Sequence, residues 1–355
     1  MNSKYIFHID LNAFYAVAEQ IKNPELENKP VAIAGKRSRG VVTTATYEAR
    51  DMGVKSAMSV AEAKRLCPEL IVIAGKHSYY SDLSKKFVDF LKGYTDQIEQ
   101  VSIDECYLDL SEKIKEYDKP LDLAIEIRDK LYKKHKLKCS IGVASNRFLA
   151  KMASDMRKPM GVTLIRDNEI ENKIFPIDIK DMHGIGKKTA PILKENGIKT
   201  IGDLLNKNKY NKIKTILGKN TDSTLKKIQG IGNDKIDLDQ TIKSIGNSST
   251  FLEDVTDYNI ISEKFLTLAQ SVARRMKKED LTSNNITVTI RTSDFTTITR
   301  SKTLDFNISE EDEIYEEALF IYDRENVDEP VRLVGIACSN LKSYKDTITQ
   351  IKLEL

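Results

Sequence analysis

Residues His8–Gln20 read HIDLNAFYAVAEQ, and two periods meet inside them. Leading in, KYIFHID alternates, with Ile6, His8 and Asp10 on one face and Tyr5, Phe7 and Ile9 on the other, as a strand requires. Beyond Asn12, which is placed to cap, Ala13, Phe14, Val17, Ala18 and Ile21 recur at helical spacing. A strand therefore ends in a lone carboxylate, Asp10, and gives way at once to a helix carrying two adjacent aromatics, Phe14 and Tyr15.

Outward from this stretch the alternation continues. KPVAIAG and GVVTTATY read as strands around a basic turn, KRSR; SVAEAKRLCPEL reads as a helix stopped before Pro68, and LIVIAG as a buried strand. Tyr79 to Tyr94 has helical periodicity. Strand material (QIEQVSIDECYLDLS), a helix (LDLAIEIRDKLYKKH), a strand (LKCSIGVAS) and a helix that stops at Pro159 (NRFLAKMASDMRK) follow. The β-α-β-β-α-β-like order predicts an α+β sheet with antiparallel strands rather than a doubly wound one. The middle, from about Asn168 to Gly232, is helical and Lys-rich. QTIKSIGNSST reads as a polar connector, and a second α+β unit of helix, two strands, acidic helix and last strand ends the chain.

The 355 residues exceed what one core usually organises, and 40% hydrophobic residues exclude a disordered chain. Net charge is only +3, but its distribution is uneven. Asp181 to Lys235 holds twelve Lys and five acids, a net of +7; Asp305 to Pro330 holds eleven acids and one Arg, a net of −10. Each run is either a solvated helix face or, for a polyanion, an attractive and a repulsive surface. Cys67, Cys106, Cys139 and Cys338 have no paired spacing, which excludes a zinc ribbon and predicts reduced thiols in the cytoplasm. No apolar run reaches the ~18 residues of a membrane span, and MNSKYIFHID lacks a signal peptide's apolar segment.

VSIDECYLDL sets Asp104 and Glu105 between apolar residues. In an unbroken strand one of the two would face a core at high desolvation cost. A turn or bulge lets both point one way, and a hairpin here would put the pair at a sheet edge beside the end of the Asp10 strand. Spacing alone leaves two readings open: an ordinary acidic turn, or three carboxylates converging on positive charge. A pair of Mg²⁺ ions suits the second, because Mg²⁺ takes oxygen ligands from a few carboxylates plus substrate phosphates. Two ions ~3.5–4 Å apart stabilise the attacking and leaving oxygens of phosphoryl transfer.

DMHGIGKKTAPILKENGIKTIGDLL carries Gly184 and Gly186 between apolar, helix-forming stretches, with Lys187 and Lys188 opening the second. This is either a plain αα-turn or a helix-hairpin-helix, whose turn offers backbone N–H groups and lysine charge to a DNA phosphate. QGIG at Gln229–Gly232 lacks the following helix pattern and reads as a loop.

Together these blocks resemble the Y-family DNA polymerases, near their bacterial polymerase IV branch. HIDLNAFYAVAE, GVVTTATYEARDMGVKSAM, VSIDECYLD, GVASNRFLAKMASDMRKPMG and the GIG hairpin occur in the family's order over essentially the whole chain. The resemblance implies an α+β multidomain, right-hand polymerase. A ferredoxin-like palm would span 1–10 and 77–166, small fingers 11–76, a helix-hairpin-helix thumb 167–232, a linker 233–243, and an α+β little finger 244–345. It implies that Asp10, Asp104 and Glu105, with the main chain of Leu11, hold two Mg²⁺ ions for which Mn²⁺ can substitute, Ser102 standing beside them. Tyr15 matches the steric gate and Phe14 its neighbour; Thr44, Tyr47, Arg50 and Lys158 match triphosphate contacts, for which Arg and Lys are suited.

DNA contacts are implied for Gly184, Gly186, Lys187 and Lys188, and for a little-finger strand face bearing Arg291, Arg300 and Lys302, with the acidic helix pointing away. The C-terminal peptide at 346–355, with Gln350, Ile351, Leu353 and Leu355 as anchors, matches the family's sliding-clamp peptide, an extended segment suited to a groove. The implied enzyme is a monomer that extends primer–template DNA with dNTPs by two-metal catalysis, in translesion synthesis without proofreading. Three departures stand out: Asn12 where many members have Asp, His183 where Pro is frequent, and the short loop GKRSRG. A nucleotide cyclase on a similar palm would lack the hairpin and basic stretch, and a silent clamp-binding protein would have lost a carboxylate.

Overall fold

The computed structural model describes residues 4–35, 40–232, 235–239 and 241–345. The loop KRSR and the anchors Gln350, Ile351, Leu353 and Leu355 lie outside the described residues. The chain divides into two compact units after Leu238.

The strands are β1 (Ile6–Leu11), β2 (Val31–Ala34), β3 (Val42–Ala45), β4 (Ile71–Ile73), β5 (Ile98–Gln100), β6 (Glu105–Asp109), β7 (Cys139–Ala144), β8 (Val162–Leu164), β9 (Ser244–Val255), β10 (Leu281–Thr292), β11 (Thr297–Ile308) and β12 (Val331–Ser343). The helices are α1 (Phe14–Lys22), α2 (Tyr47–Asp51), α3 (Val60–Leu66), α4 (His77–Leu91), α5 (Pro120–His135), α6 (Arg147–Asp155), α7 (Ile170–Lys173), α8 (Thr189–Glu195), α9 (Tyr210–Leu217), α10 (Thr221–Ile228), α11 (Tyr258–Lys278) and α12 (Glu311–Asp323).

In the first unit β1 is the centre of a five-stranded sheet ordered β5-β6-β1-β7-β8, antiparallel to both neighbours. Its alternating residues are apolar or buried on both faces because both are covered. Phe7, Ile9 and Leu11 join a core with Phe87 and Leu91 of α4 and Leu123 and Ile127 of α5; Ile6 joins a second core with Phe148 and Leu149 of α6. Gly142 of β7 lets α6 come close: a Cβ there would lie 2.0 Å from the Ala150 carbonyl oxygen. A smaller sheet, β3-β2-β4, follows α1 in the chain. Its edge strand β4 is half-buried rather than buried as LIVIAG predicts, since each of its three residues keeps some exposure. Residues from Ile170 to Ile228 form short helices whose apolar faces (Ile174, Leu193, Ile213, Ile228) close onto α6.

The second unit is a four-stranded antiparallel sheet ordered β11-β10-β12-β9, one face covered by α11 and α12. The stretch read as a polar connector is here strand from Ser244 onward. It is polar because β9 is an edge strand whose residues, Ile245 and Phe251 apart, stay at least partly exposed. No helix among the described residues is long and apolar enough to cross a membrane.

Candidate active site and nucleic-acid interface

β1 brings Asp10 directly opposite Glu105 of β6 on one side and Ser140 of β7 on the other. The chain between β5 and β6 turns at Val101–Asp104, so Asp104 sits in the turn and Glu105 opens the strand. The pair therefore lies at the strand ends inside the sheet, since β6 is flanked by β5 and β1, and not at a sheet edge as the hairpin argument expects. The Leu11 amide donates to the Asp104 carbonyl at 2.9 Å, and the Ser102 hydroxyl donates to Asp104 Oδ1 at 2.7 Å.

Two ammonium groups enter this acidic corner. Lys151 Nζ donates to Glu105 Oε1 at 2.6 Å and to Asp10 Oδ2 at 2.9 Å; Lys158 Nζ reaches the same Asp10 oxygen at 2.7 Å and Asp155 at 2.8 Å. Burial alone would raise the Asp10 pKa, but the hydrogen bond shared with Glu105 and the charges of Lys158 and Lys151 hold it below the usual carboxylate range. Glu105 is pushed up, by burial and then by the same shared bond, against the pull of Lys151. His8, two residues before Asp10, places a ring nitrogen in one cluster with the Asp10 and Glu105 oxygens. Burial, then Lys151, lowers its pKa to about 3, so the ring is neutral. Its Nδ1 meets Ser154 Oγ at 2.8 Å, while its buried Nε2 has no hydrogen-bond partner.

The Asp10 and Glu105 donors are hard oxygens, and ammonium charge already gathers on them, so the set suits a divalent cation such as Mg²⁺.

The turn into α1 runs through Ala13 at φ 45°, a left-handed conformation, and no side chain caps the helix. Asn12 is not the cap that the sequence predicts. It is 1% exposed, exchanges hydrogen bonds with Ser140 (3.0 and 3.2 Å) and accepts from the Met160 amide at 2.7 Å. The tight turn leaves its side chain nearer β7 than the helix's own N–H groups, and it thereby ties the loop after Lys158 to the start of α1. Tyr15 stacks on Tyr80 of α4 at 4.4 Å and 17°, and the Tyr80 hydroxyl donates to buried Glu19 at 2.8 Å. Burial, and then the charge of Asp104, raises the Tyr15 pKa. Phe14 is buried beside both rings.

Thr44, Tyr47 and Arg50 come together at β3 and α2. Arg50 donates to the Ala45 carbonyl at 2.9 Å and to Thr44 Oγ1 at 3.3 Å, and its guanidinium lies 4.8 Å from the Tyr47 ring centroid. The Tyr47 hydroxyl is buried without a hydrogen-bond partner. Burial raises its pKa, against the opposing charges of Arg50 and Lys158.

In the GIG turn Gly184 has φ 91°, and a Cβ at either Gly184 or Gly186 would meet nothing within 4 Å. Lys187 and Lys188 are exposed just before α8. Before the turn come the short helix α7 and a 3-10 turn at Ile179–Asp181. The His183 amide donates to Met152 Sδ at 3.4 Å, seating the turn on α6. Beside it, a cavity of about 540 Å³ is lined by Tyr107, Arg147, His183, Gly184 and Lys227, among others.

The three basic residues of the second unit do not share a face. Arg291 pairs with Thr297 on the open side of the sheet. Arg300 and Lys302 pair with Val288 and Ile286, whose side chains are buried under the helices. Lys302 Nζ reaches Glu317 of α12 at 2.6 Å, and Arg300 Nε reaches Glu325 at 2.8 Å. The acidic helix therefore neutralises Lys302 instead of pointing away from it, and Glu325, just past the helix end, does the same for Arg300.

The impB/mucB/samB family model matches residues 9–155, its C-terminal domain model residues 242–353, and the family's HHH motif model residues 167–198. DNA polymerase IV of Bacillus velezensis is 41% identical over 354 residues, 99% of this chain and 85% of that protein. The chain belongs to the DNA polymerase IV family. DNA polymerase IV of Staphylococcus aureus is 35% identical over 98% of both chains. Among solved structures, a Y-family DNA polymerase chimera of Dbh and Dpo4 superposes with a TM-score of 0.84 at 28% identity, covering 96% of this polymerase and 99% of that chain. DinB from Sulfolobus solfataricus gives 0.66 at 28% identity, covering 96% and 99%. The fold is thus the right-hand Y-family fold, and membership implies use of a divalent metal.

Sequence reasoning missed Lys151, His8, Tyr80 and Glu19. Lys151 sits in the apolar run RFLAKMASD, and a lysine within a helix ordinarily reads as a surface residue. The alternation of KYIFHID does put His8 on the Asp10 face.

Proposed function

We propose that this polymerase adds dNMPs to a primer 3′-hydroxyl on a DNA template, in translesion synthesis, with Asp10, Asp104, Glu105 and the Leu11 main chain holding two Mg²⁺ ions, or Mn²⁺ in their place. When bound, the ions would supply most of the charge stabilisation at the transferring phosphorus. The observation that carries the reading is the convergence of Asp10 and Glu105 at the end of β1 beside two lysines and the Tyr15–Tyr80 stack.

In the reaction the 3′-hydroxyl attacks the α-phosphorus and pyrophosphate leaves. Lys158, Arg50, Thr44 and the unpartnered Tyr47 hydroxyl are placed to donate to the β- and γ-phosphates, where ammonium, guanidinium and hydroxyl donors each find acceptors. Tyr15 is the steric gate that closes on the sugar, and Phe14 backs it. Lys187, Lys188 and the open backbone at Gly184 and Gly186 contact the DNA phosphates. Arg291 contributes from the open sheet face; Arg300 and Lys302 do so only by giving up their partners Glu325 and Glu317. The parts are a palm (1–10, 77–166), fingers (11–76), a thumb (167–232), a linker (233–243) and a little finger (244–345). The segment 346–355 binds a sliding clamp. The enzyme works as a monomer in the cytoplasm.

Extension of a labelled primer with Mg²⁺ tests the assignment. Asp104→Asn and Glu105→Gln should each lose about a hundredfold or more in rate, the scale of removing one group that stabilises developing charge. Mutants that extend as well as wild type would show the carboxylates misassigned.

A further inference from the structure

Lys151 lies in the segment Phe148–Ser154 of α6, every residue of which is buried. A lysine there is out of place unless paired. Its side chain is 11% exposed, and its Nζ stands 2.6 Å from Glu105, 2.9 Å from Asp10 and 3.5 Å from Asp155. Its root is fixed: the Ser154 hydroxyl donates to the Lys151 carbonyl at 2.8 Å and meets His8 Nδ1, while Gly142 admits the helix against β7. Lys158 comes instead from the chain beyond α6, with 24% of its side chain exposed. The two lysines are therefore not equivalent, since only Lys151 is built into the core as part of a helix.

Resting on the reading that Asp10 and Glu105 bind divalent cations, we propose that Lys151 is the site's internal counter-ion. It neutralises the facing carboxylates in the cation-free enzyme and competes with a divalent cation for the same oxygens. Asp10 and Glu105 are directly opposite in the sheet, and Asp10 is 6% exposed. With both ionised and no cation between them, two such carboxylates repel each other and cost desolvation energy. The ammonium removes that repulsion and keeps the strand ends together. Its hydrogen bonds also occupy lone pairs a metal would need, and its charge repels any cation that arrives. The polymerase thus keeps a shaped site without metal and has its cation affinity held down until a triphosphate supplies further oxygens.

Mn²⁺ binding to the full chain without DNA or nucleotide, followed by electron paramagnetic resonance, tests the idea together with thermal unfolding in EDTA. Lys151→Met should bind Mn²⁺ on the order of tenfold more tightly, because one nearby positive charge is gone. It should also unfold at a lower temperature in EDTA and recover on adding Mn²⁺. Lys151→Arg should behave as wild type in both. Equal or weaker Mn²⁺ binding by Lys151→Met overturns the proposal. Should Lys151→Met fail to fold in EDTA, Asp10→Asn combined with it should restore folding, and failure to do so also overturns the proposal. Asp10→Asn alone should weaken Mn²⁺ binding; if it binds as wild type, the metal-site reading itself falls, independently of Lys151.

Discussion

Tyr15 depends on a neighbour 65 positions along the chain. Its ring is held flat on Tyr80, and Tyr80 is held by Glu19, so the proposed gate is one plate of a stack rather than a free ring. Aromatic pairs of this kind add about 0.5–1.5 kcal/mol beyond their burial. Tyr15→Ala should admit ribonucleotides, with discrimination falling about a hundredfold as a steric exclusion is lost. Tyr80→Leu, which leaves the Tyr15 ring but removes its support, should relax discrimination several-fold while sparing dNTP extension. Single-nucleotide insertion with paired rNTP and dNTP measures both, and a Tyr15→Ala enzyme as selective as wild type would remove Tyr15 from the role. At this scale Asp10 and Glu105 are legible because a charge inside an apolar strand demands a reason. Tyr80 and Lys151 are not legible, because an aromatic or a lysine in a helix has an ordinary explanation until its tertiary neighbours are known. Asn12 departs from the family pattern, and its hydrogen bonds to Ser140 and Met160 give it a positioning task that needs an amide.

Among the elements, β7 and α6 set how closely Lys151 approaches the carboxylates. Gly142 is the contact point, where an added Cβ would sit 2.0 Å from the Ala150 oxygen and 2.3 Å from the Ser154 nitrogen. Both atoms are backbone, so nothing flexible can yield. Gly142→Ala should therefore lift α6 off the sheet, cost about 3 kcal/mol or more as overpacking does, and lower primer extension by displacing Lys151. Urea unfolding checks the first effect, and a mutant as stable as wild type would contradict the packing argument. Element types were readable from period alone through most of the first unit. The faces of β10 and β11 were not, because register across their turn decides which residues align. Arg291 opposite Thr297 forces Arg300 opposite Val288, so two basic residues counted on one face fall on the other. The 3-10 turn before Gly184 was likewise hidden, since a short apolar run fits a single turn as well as a full helix.

At the scale of the whole molecule, the two charge runs have different fates. The lysine run lies within the first unit, with Lys187 and Lys188 exposed, while the acidic run spends part of its charge on Lys302 and Arg300. Removing residues 350–355 should reduce clamp-stimulated synthesis and leave unstimulated synthesis intact. Equal loss of both would end the clamp reading. The α+β class and two-part organisation were legible, because the strand-helix alternation restarts after the lysine-rich middle. The sheet order was not, because β1 lies between two strands that come about a hundred or more residues after it. That order has a consequence for biosynthesis. Asp10 leaves the ribosome long before its partners exist, since Glu105 and Ser140 must still be translated. At ~5–20 residues per second the central strand waits roughly 5 to 30 seconds as an apolar segment with both edges unpaired. The segment that carries Asp10 is thus also the one the nascent chain must keep from sticking for longest.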